Sequence, residues 1–317
     1  VTQLGTMGFL EVVRAMPRHL RLLRQLIAEA RAGRYAMAVL IDYPGFHMRL
    51  GTRLRAAGVP VLQYVAPQLW AWRSERVQHL RGAADRLAVI LPFEEEWFAS
   101  RGIPCTFVGH PLMDRSWPSQ ASARAKLGLP PKDPVLAIFP GSREAEITLN
   151  WPLFRDVAQR MLAEGLCRHV IVAGTAEGYY PDAERMVVHR HGSEAVLAAA
   201  TAALVKSGTT TLEAACTGTP IVVAYRTSRI TYELARRAMT VKWISLVNLI
   251  LGEPLVPEFW RLPVRAASVA DALRPLLTPG AIAAEVQRAG LARVRTQLGS
   301  PGAADRVAAL ALGLLPC

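Results

Sequence analysis

The sequence predicts an α/β protein with two doubly wound domains, each built on a parallel sheet. Short apolar runs that read as buried strands alternate with helical segments almost throughout the chain. Those runs are continuously apolar, as expected of strands that helices cover on both faces of a sheet. The length of 317 residues fits two domains of roughly 150 residues each.

The first half of the chain alternates strands and helices as far as Gly109. Its predicted strands span residues 35–41, 59–65, 86–91 and 106–108. Its predicted helices span residues 46–57, 74–82 and 94–100. Gly58 and Gly102 follow two of these helices directly, where glycine commonly ends a helix.

A segment rich in Ser, Pro and Ala, residues 113–132, follows, and we predict that it is a linker. The alternation then restarts. The predicted strands span residues 135–139, 169–173, 203–205 and 220–225. The predicted helices span residues 153–164, 193–200, 210–217, 231–238 and 281–296. We therefore expect one domain over residues 1–113 and a second over residues 114–317.

The composition excludes several classes of protein. A chain with 51% hydrophobic and 20% charged residues is not disordered. Its uncharged runs are shorter than the ~20 residues that span a bilayer. The four cysteines form no CxxC pair, so they read as reduced thiols of a cytoplasmic protein. The net charge of +12 favours an anionic partner: nucleic acid, a phosphorylated small molecule or a membrane surface.

Two loops have the features of phosphate-binding loops. Pro140–Arg143 follows a predicted strand; Gly141 allows close backbone approach, and Arg143 adds a guanidinium that suits phosphate. Lys206–Glu213 follows another strand, with small polar residues and a carboxylate that could accept ribose hydroxyls. An ordinary turn and a helix N-cap cluster are the alternatives. Neither loop is a Walker A or GxGxxG motif, which argues against an ATPase or a dehydrogenase.

Two side chains of the first half are candidates for chemistry. Asp42 ends the first predicted strand and could be a general base, although an Asp there also caps helices. His110 could line a cleft, but a lone His is more often structural. His189 and His191 lack an evident third ligand, so no metal site is predicted.

The segment from Met7 to Arg34 interleaves arginines with apolar residues. Such a stretch can lie on an anionic membrane, or it can pack on its own sheet with a solvated basic face. Nucleic acid is not expected, because the fold motifs and aromatic platforms that bind it are absent from the sequence. The candidates for contact with a membrane or an acceptor are Met7, Phe9, Leu10, Val12, Val13, Met16, Arg18 and Leu20.

Seven strings together carry a resemblance to one family. They are LGTMGFLEVV (4–13), IDYPGFHMRL (41–50), QYVAPQLWAWR (63–73), LPFEEEWF (91–98), FVGHPLMD (107–114), FPGSREAEI (139–147) and KSGTTTLEAACTGTPIVVAYR (206–226). In this order and spacing they are similar to lipid-A-disaccharide synthase, an inverting glycosyltransferase. The match runs from the first residues to about Arg261.

The resemblance implies a GT-B fold, with two Rossmann-like domains and a central cleft. It implies transfer of the sugar of UDP-2,3-diacylglucosamine to the 6-hydroxyl of 2,3-diacylglucosamine 1-phosphate, which gives a β-1,6 linkage and UDP. It implies no metal or other cofactor and no nucleic acid. It also implies a peripheral position on the cytoplasmic face of the inner membrane. Whether the chain forms a homodimer stays open.

The resemblance also implies roles for individual residues. Asp42 stands where the family has its catalytic aspartate. The residues implied in UDP-sugar binding are Gly141, Ser142, Arg143, Glu146, Ser207, Gly208, Thr209, Glu213, Tyr225, Arg226 and Asn248. The sequence departs from the family pattern around the sugar site, at Gly45, His47, Ala66, Val247 and Arg261.

The family has a strand, a loop containing Gly and Ser, and a helix ahead of LGTMGFLEVV, and this sequence does not contain them. We therefore expect a truncated sheet with an exposed edge, and a chain that is poorly folded or inactive by itself. Two alternative functions stay open. One is another GT-B enzyme, such as a UDP-N-acetylglucosamine transferase or epimerase. The other is an inactive fragment that binds a nucleotide or a membrane.

Overall fold

The computed structural model describes residues 9–72 and 74–315, with the backbone alone for residues 9–15. The chain divides into two compact units. Unit 1 comprises Val1–Asp114 with Gly299–Cys317, and unit 2 comprises Arg115–Leu298. The start of unit 2 lies next to the predicted boundary. The end differs, because residues from Gly299 onwards group with unit 1 and not with the second predicted domain.

Unit 1 contains a four-stranded parallel sheet in the order β1-β2-β3-β4. The strands are β1 (Ala38–Ile41), β2 (Val61–Tyr64), β3 (Arg86–Val89) and β4 (Cys105–Phe107). The helices are α1 (Phe9–Arg31), α2 (Pro44–Ala56), α3 (Val77–Ala83) and α4 (Glu94–Ala99). Short 3-10 turns at Ser74–Arg76 and Pro111–Asp114 complete the unit. Among the described residues β1 pairs with β2 alone, and its Val39 and Ile41 are exposed.

Unit 2 contains a six-stranded parallel sheet in the order β10-β9-β8-β5-β6-β7. Its strands are β5 (Val135–Phe139), β6 (His169–Ala173), β7 (Val187–His189), β8 (Ala202–Val205), β9 (Ile221–Ala224) and β10 (Glu258–Phe259). Its helices are α5 (Gln120–Lys126), α6 (Glu144–Ala163), α7 (Ser193–Ala199), α8 (Thr210–Thr217), α9 (Arg229–Ala238), α10 (Leu246–Leu251), α11 (Ala266–Leu277) and α12 (Ile282–Gln297). These two parallel sheets confirm the predicted α/β class.

The strand order of unit 2 reverses between two central strands. From β5 the chain moves outward through β6 and β7, and it then returns to β8 on the other side of β5. Strands β5 and β8 consist of buried apolar residues, as the continuous apolar runs of the sequence predict. In open α/β sheets a reversal of this kind leaves a crevice at the carboxyl ends of the strands, where ligands bind.

The predicted linker over residues 113–132 is wrong in its second half. Helix α5 begins after Ser119, whose hydroxyl caps it by accepting the Ser122 N–H. The Arg124 side chain is buried, and its guanidinium donates to the carbonyl oxygens of Ala199, Pro130 and Pro131. These bonds fix the segment to unit 2, although its composition resembles that of a mobile connection.

The chain returns to unit 1 through α13 (Ala303–Leu312). Val307 and Ala311 of this helix pack against Leu62, Ala88 and Val108 of the sheet. The guanidinium of Arg306 donates to the carbonyl oxygens of Val108, Ser300 and Pro301. This packing explains why the C-terminal segment groups with unit 1.

In the part of the chain that the structure describes, no helix is both long and apolar enough to cross a bilayer.

Candidate functional site

A pocket of about 460 Å³ opens within unit 2 at the reversal of the strand order. The loops that follow β5, β6, β7 and β8 form its walls. Eight of the eleven residues that the sequence implies in UDP-sugar binding line it: Gly141, Ser142, Arg143, Glu146, Ser207, Gly208, Thr209 and Glu213. The loops come together because the carboxyl ends of neighbouring parallel strands share one edge of the sheet.

The loop after β5 requires glycine at position 141. Gly141 has a φ of 142°, and a Cβ there would lie 2.6 Å from the Cβ of Glu146. The backbone N–H of Ser142 donates to Glu146 Oε2 at 3.1 Å. Arg143 follows with an exposed guanidinium, whose Nη1 lies 3.6 Å from Glu146 Oε1. The loop therefore presents backbone and a cation at the start of α6, where an anion is favoured.

Glu146 joins the two candidate phosphate loops. Its Oε1 accepts a hydrogen bond of 2.9 Å from Lys206 Nζ. Burial acts to raise the pKa of Glu146, but the Lys206 ammonium, the Ser142 N–H and the Arg143 charge together hold the pKa below its usual value. The carboxylate is thus ionised and fully engaged. Its geometry assigns it to positioning the two loops.

The loop after β8 leads directly into α8. Gly208 has a φ of 149°, a conformation that side chains rarely adopt. The Ser207 hydroxyl donates to the carbonyl oxygen of Ile244 at 2.6 Å. Because that bond uses the Ser207 hydrogen, the oxygen keeps its lone pairs as acceptors for a ligand. The N–H groups of Thr211 and Leu212 donate to the carbonyl oxygens of Gly208 and Thr209 in the first turn of α8, and the positive end of the helix dipole faces this loop.

Glu213 lies further along α8 and lines the same pocket. Burial raises the pKa of its carboxyl group, and the nearby Arg115 charge opposes that shift. Arg115 Nη1 lies 3.7 Å from Glu213 Oε1. A partly buried carboxylate of this kind can accept two hydrogen bonds from a diol.

Several lining residues are outside the implied set. They include Thr175 after β6, Arg190, His191 and Gly192 after β7, and Lys206 after β8. The Arg190 guanidinium donates to the carbonyl oxygens of Thr175, Ala176 and Gly178, which ties the two loops together. Strand β7 has only three residues. It is too short to be predicted from an apolar run, so the sequence does not predict the loop after it.

Three implied residues do not line the pocket. The Arg226 N–H donates to Asn150 Oδ1, and the Tyr225 ring lies 5.8 Å from Lys206 Nζ. Asn248 is only 1% exposed. Its amide bonds the main chain of Val256 and the carboxylate of Glu258. The structure therefore places Asn248 in α10, with its amide bonded to the segment that follows the helix.

The bonds around Asn248 and Glu258 support the phosphate loop indirectly. Glu258 accepts the backbone N–H groups of Ile244 and Ser245 at 2.8 and 2.9 Å. The carbonyl oxygen of Ile244 is the acceptor of the Ser207 hydroxyl. Asn248 and Glu258 thus fix the Ile244 peptide that orients Ser207, although neither residue lines the pocket.

Asp42 lies in unit 1, at the carboxyl end of β1, and its residue is exposed. Asp42 and Tyr43 have left-handed φ angles of 52° and 50°, and Val65, after β2, has 62°. Non-glycine residues rarely adopt this conformation, and at strand ends it often marks a functional site. The N-cap position of α2 is Tyr43, which makes no side-chain cap bond, so Asp42 does not occupy the N-cap of this helix.

A buried glutamine and a partly exposed histidine hold this strained turn. Gln63 is only 3% exposed, and its Nε2 lies 3.1–3.3 Å from the carbonyl oxygens of Asp42, Tyr64 and Val65. His47 Nδ1 donates to the Asp42 carbonyl oxygen at 2.6 Å. Burial lowers the pKa of His47, and the backbone bond to Asp42 opposes that effect.

His110 is a structural residue in this fold. Its side chain is buried, and its Nδ1 accepts the Leu112 N–H at 3.1 Å. Burial lowers the pKa of His110 to about 4, so the ring is neutral at neutral pH. This geometry favours the structural alternative for the lone His.

The candidates for membrane contact lie on or before α1. Met16, Arg18 and Leu20 are exposed on this helix. Phe9, Leu10, Val12 and Val13 belong to its first turns, but their side chains lie outside the described part. Met7 also lies outside the described residues.

Solved structures of other proteins share this architecture. MurG of Acinetobacter baumannii superposes with a TM-score of 0.59 and 13% identity, over 94% of this chain and 79% of that chain. The UDP co-structure of S. aureus MnaA superposes with a TM-score of 0.63 and 11% identity, over 96% and 81%. At these identities the likeness shows the fold alone. It is the GT-B fold of glycosyltransferases.

The sequence comparison identifies the family. A family model described as lipid-A-disaccharide synthetase matches residues 1–301. Lipid-A-disaccharide synthase of Myxococcus xanthus is 38% identical over 99% of this chain and 84% of its own length. The Pseudomonas aeruginosa PAO1 enzyme is 38% identical over 88% of this chain and 76% of its own length. The chain belongs to the lipid-A-disaccharide synthase family of glycosyltransferases.

Proposed function

We propose that this chain transfers the sugar of UDP-2,3-diacylglucosamine to the 6-hydroxyl of 2,3-diacylglucosamine 1-phosphate. The observation that carries the proposal is the pocket of unit 2, where two glycine-containing loops and an exposed arginine meet at the strand reversal. Family membership supports the choice of substrates.

Unit 2 holds the donor in this proposal. The diphosphate lies against the loops at Gly141 and Gly208, with Arg143 as the cation, and Glu213 accepts the ribose hydroxyls. As the bond between the sugar C1 and the diphosphate oxygen breaks, negative charge grows on the UDP leaving group. Backbone N–H groups and a guanidinium that are already in place stabilise that charge.

Asp42 is the general base in this proposal. Its carboxylate takes the proton of the acceptor 6-hydroxyl as that oxygen attacks C1 from the side opposite the diphosphate. The new bond therefore has the inverted, β configuration, and UDP leaves with the electron pair of the broken bond. The strained backbone at Asp42 and Tyr43 supports this role, because the side chains of Gln63 and His47 hold the Asp42 carbonyl oxygen and so fix the backbone that carries the carboxylate.

The exposed apolar and basic residues of α1 contact the membrane in this proposal. Met16 and Leu20 are among the exposed large apolar side chains, and Arg18 is exposed beside them. Such a helix binds at the lipid interface by burying its apolar side chains and attracting anionic headgroups. The position that we propose is peripheral, on the cytoplasmic face of the inner membrane.

Turnover with three variants tests the proposal. The chain is incubated with both substrates, and UDP and disaccharide are followed. We expect Asp42→Asn to lower kcat by about 10²-fold or more with UDP affinity unchanged. We expect Arg143→Ala to lower kcat/KM by about 10-fold or more, because a charge-assisted bond to the diphosphate is lost. Arg168→Ala, at an exposed arginine paired with Asp133, is the matched control.

Three results would contradict the proposal. Full turnover by Asp42→Asn would remove Asp42 as the base. An equal effect of Arg143→Ala and Arg168→Ala would remove the diphosphate site. UDP binding by the wild-type chain without turnover of the donor would favour the inactive binding protein.

A further inference from the structure

Helix α9 of unit 2 is amphipathic and exposed. None of its ten residues is buried. Ile230 and Leu234, one helical turn apart, are 76% and 64% exposed. Ala238 continues the same row at the i+8 position. Monomeric proteins seldom leave a row of large aliphatic side chains in water without a partner.

The opposite side of α9 attaches it to its unit. The Tyr232 ring lies 6.0 Å from the ring of Trp260, and the Ser228 hydroxyl caps the helix by accepting the Thr231 N–H. Tyr232 is half-buried, whereas Ile230 and Leu234 lie on the side turned away from Trp260. The exposed row is therefore a fixed feature of the helix surface.

Positive charge flanks the exposed row. Arg229 and Arg237 lie on the same helix. Within residues 9–72 and 74–315, neither of these two arginines forms a salt bridge. The one acidic residue of α9, Glu233, pairs with Arg236 at 3.0 Å. The exposed part of α9 thus combines an aliphatic row with two arginines of the same helix.

We propose that the exposed face of α9 is a second lipid-binding surface that docks unit 2 on an anionic membrane. A short helix with an aliphatic row and flanking arginines lies in the plane of the interface, with its apolar side chains among the acyl chains. The surface is separate from α1, which belongs to unit 1.

The chemistry of the donor explains why unit 2 would need its own membrane contact. The argument rests here on the proposed function, in which unit 2 binds a sugar nucleotide that carries two acyl chains. Those chains stay in the bilayer until the donor is bound. A donor-binding unit that touches the same bilayer shortens the distance over which they leave lipid, and so lowers the cost of exposing them to water.

Sedimentation with lipid vesicles tests the surface. The probes are vesicles of phosphatidylcholine with phosphatidylglycerol, and vesicles of phosphatidylcholine alone. We expect Ile230→Ser with Leu234→Ser to weaken partition to the anionic vesicles by about 10-fold or more, because two aliphatic side chains no longer enter the lipid. Arg229→Gln with Arg237→Gln should weaken partition to anionic vesicles and reduce its dependence on salt.

The chain offers a matched control on α12. Ile282 and Val286 have the same spacing and are 76% and 58% exposed. Changing both to Ser removes a similar apolar surface from unit 2 in a helix turn that carries the acidic Glu285, and we expect less than a 2-fold effect on partition. Thermal melts of both double variants check folding, which should be unchanged because neither pair is buried.

Three outcomes would overturn the proposal. They are wild-type chain that does not sediment with anionic vesicles, equal partition of wild type and the α9 variant, and equal losses in the α9 and α12 variants. A lower molar mass of the α9 variant by light scattering, with partition unchanged, would assign the face to contact between copies of this chain.

Turnover in detergent separates the surface from the proposed function. The α9 variant should release UDP at the wild-type rate from detergent-dispersed substrates and several-fold more slowly from vesicles. A wild-type chain that sediments with vesicles but never consumes the donor would refute the proposed function and leave the lipid-binding surface standing.

Discussion

Backbone strain at single residues marks the candidate base of unit 1. Asp42, Tyr43 and Val65 all have left-handed φ angles, and each costs on the order of 1 kcal/mol or more for a residue with a Cβ. The Gln63 amide lies against the carbonyl oxygens of two of them. Because this one buried side chain holds both strained segments, the turn keeps its shape against that cost.

We predict that Gln63→Met lowers kcat by about 10-fold and leaves UDP affinity unchanged. The substitution keeps the volume but removes the donor of the strained carbonyls, at a cost of about 1–3 kcal/mol in the free energy of unfolding. Steady-state kinetics and urea unfolding measure the two effects. Gln287→Met is the matched control, because Gln287 is also 3% exposed but bonds the Ile221 N–H within unit 2. Equal losses of kcat in both variants would show that Gln63 acts through stability alone.

The sequence predicts some site residues well and others poorly. Gly141 and Ser207 share a pocket as expected, because both follow strands whose carboxyl ends lie at one sheet edge. The resemblance implies a role for Asn248 from its place in a sequence string. A string does not tell whether an amide contacts a ligand or bonds residues of its own segment, as Asn248 does. The sequence does not predict that Arg190 lines the pocket, because the strand before it is too short to form an apolar run.

At the scale of elements, α4 is anchored by its own first residue. Glu94 is 1% exposed, and its carboxylate accepts the N–H groups of Ile90 and Leu91 and the indole N–H of Trp70. These bonds join α4 to the loop after β2. Burial raises the pKa of Glu94 to about 7, and the three hydrogen bonds only partly oppose that shift.

We predict that ionisation of Glu94 makes unit 1 less stable as pH rises. The pKa is higher in the folded chain than in the unfolded chain, so the folded form binds more protons between about pH 4.5 and pH 7. The stabilisation is complete below about pH 4.5 and is lost as pH passes 7, by about 3 kcal/mol. Urea unfolding at pH 5 and pH 8 measures it. The lowered pKa of His110, about 4, acts in the opposite direction over the same pH range, so the test compares each variant with the wild-type chain. The stability of Glu94→Gln relative to wild type should rise by about 2–3 kcal/mol from pH 5 to pH 8, whereas that of Glu285→Gln, at an exposed position of α12, should not change with pH; a Glu94→Gln difference that is the same at both pH values would contradict the assignment.

Some helices could not be delimited from the sequence. Helix α6 begins at Glu144, nine positions before the predicted start at residue 153, and it contains Pro152. Proline lacks one N–H, but a helix of 20 residues that packs Trp151, Phe154 and Val157 in the core tolerates that loss. Helix α13 was not predicted, since its alanine-rich sequence has few large apolar residues.

At the scale of the whole molecule, the two units have separate cores. The largest cluster of unit 2 is built around Phe154 and Leu204, and the main cluster of unit 1 around Leu87 and Phe98. Arg306 belongs to unit 1 through its bonds to Val108 and the segment before α13. We therefore expect two calorimetric transitions.

We predict that Arg306→Ala lowers one transition and leaves the other unchanged. Three carbonyl acceptors lose their donor, which costs about 1–3 kcal/mol and lowers that Tm by several degrees. Leu273→Ala, in the core of unit 2, should lower the other transition. Arg293→Ala, which breaks an exposed pair with Glu253, is the control and should change neither. A single transition that moves in all variants would refute two independent cores.

The return of the chain to unit 1 has a consequence for protein synthesis. Asp114 bonds the N–H of Gly302, 188 positions later, and until then Leu62 and Ala88 lack the helix that covers them. At roughly 5–20 residues per second, a ribosome needs about 10–40 s to make that stretch. Unit 2 is continuous and can fold as it emerges. Unit 1 has to wait with an open sheet face, so in the nascent chain the second unit of the sequence is the first to finish.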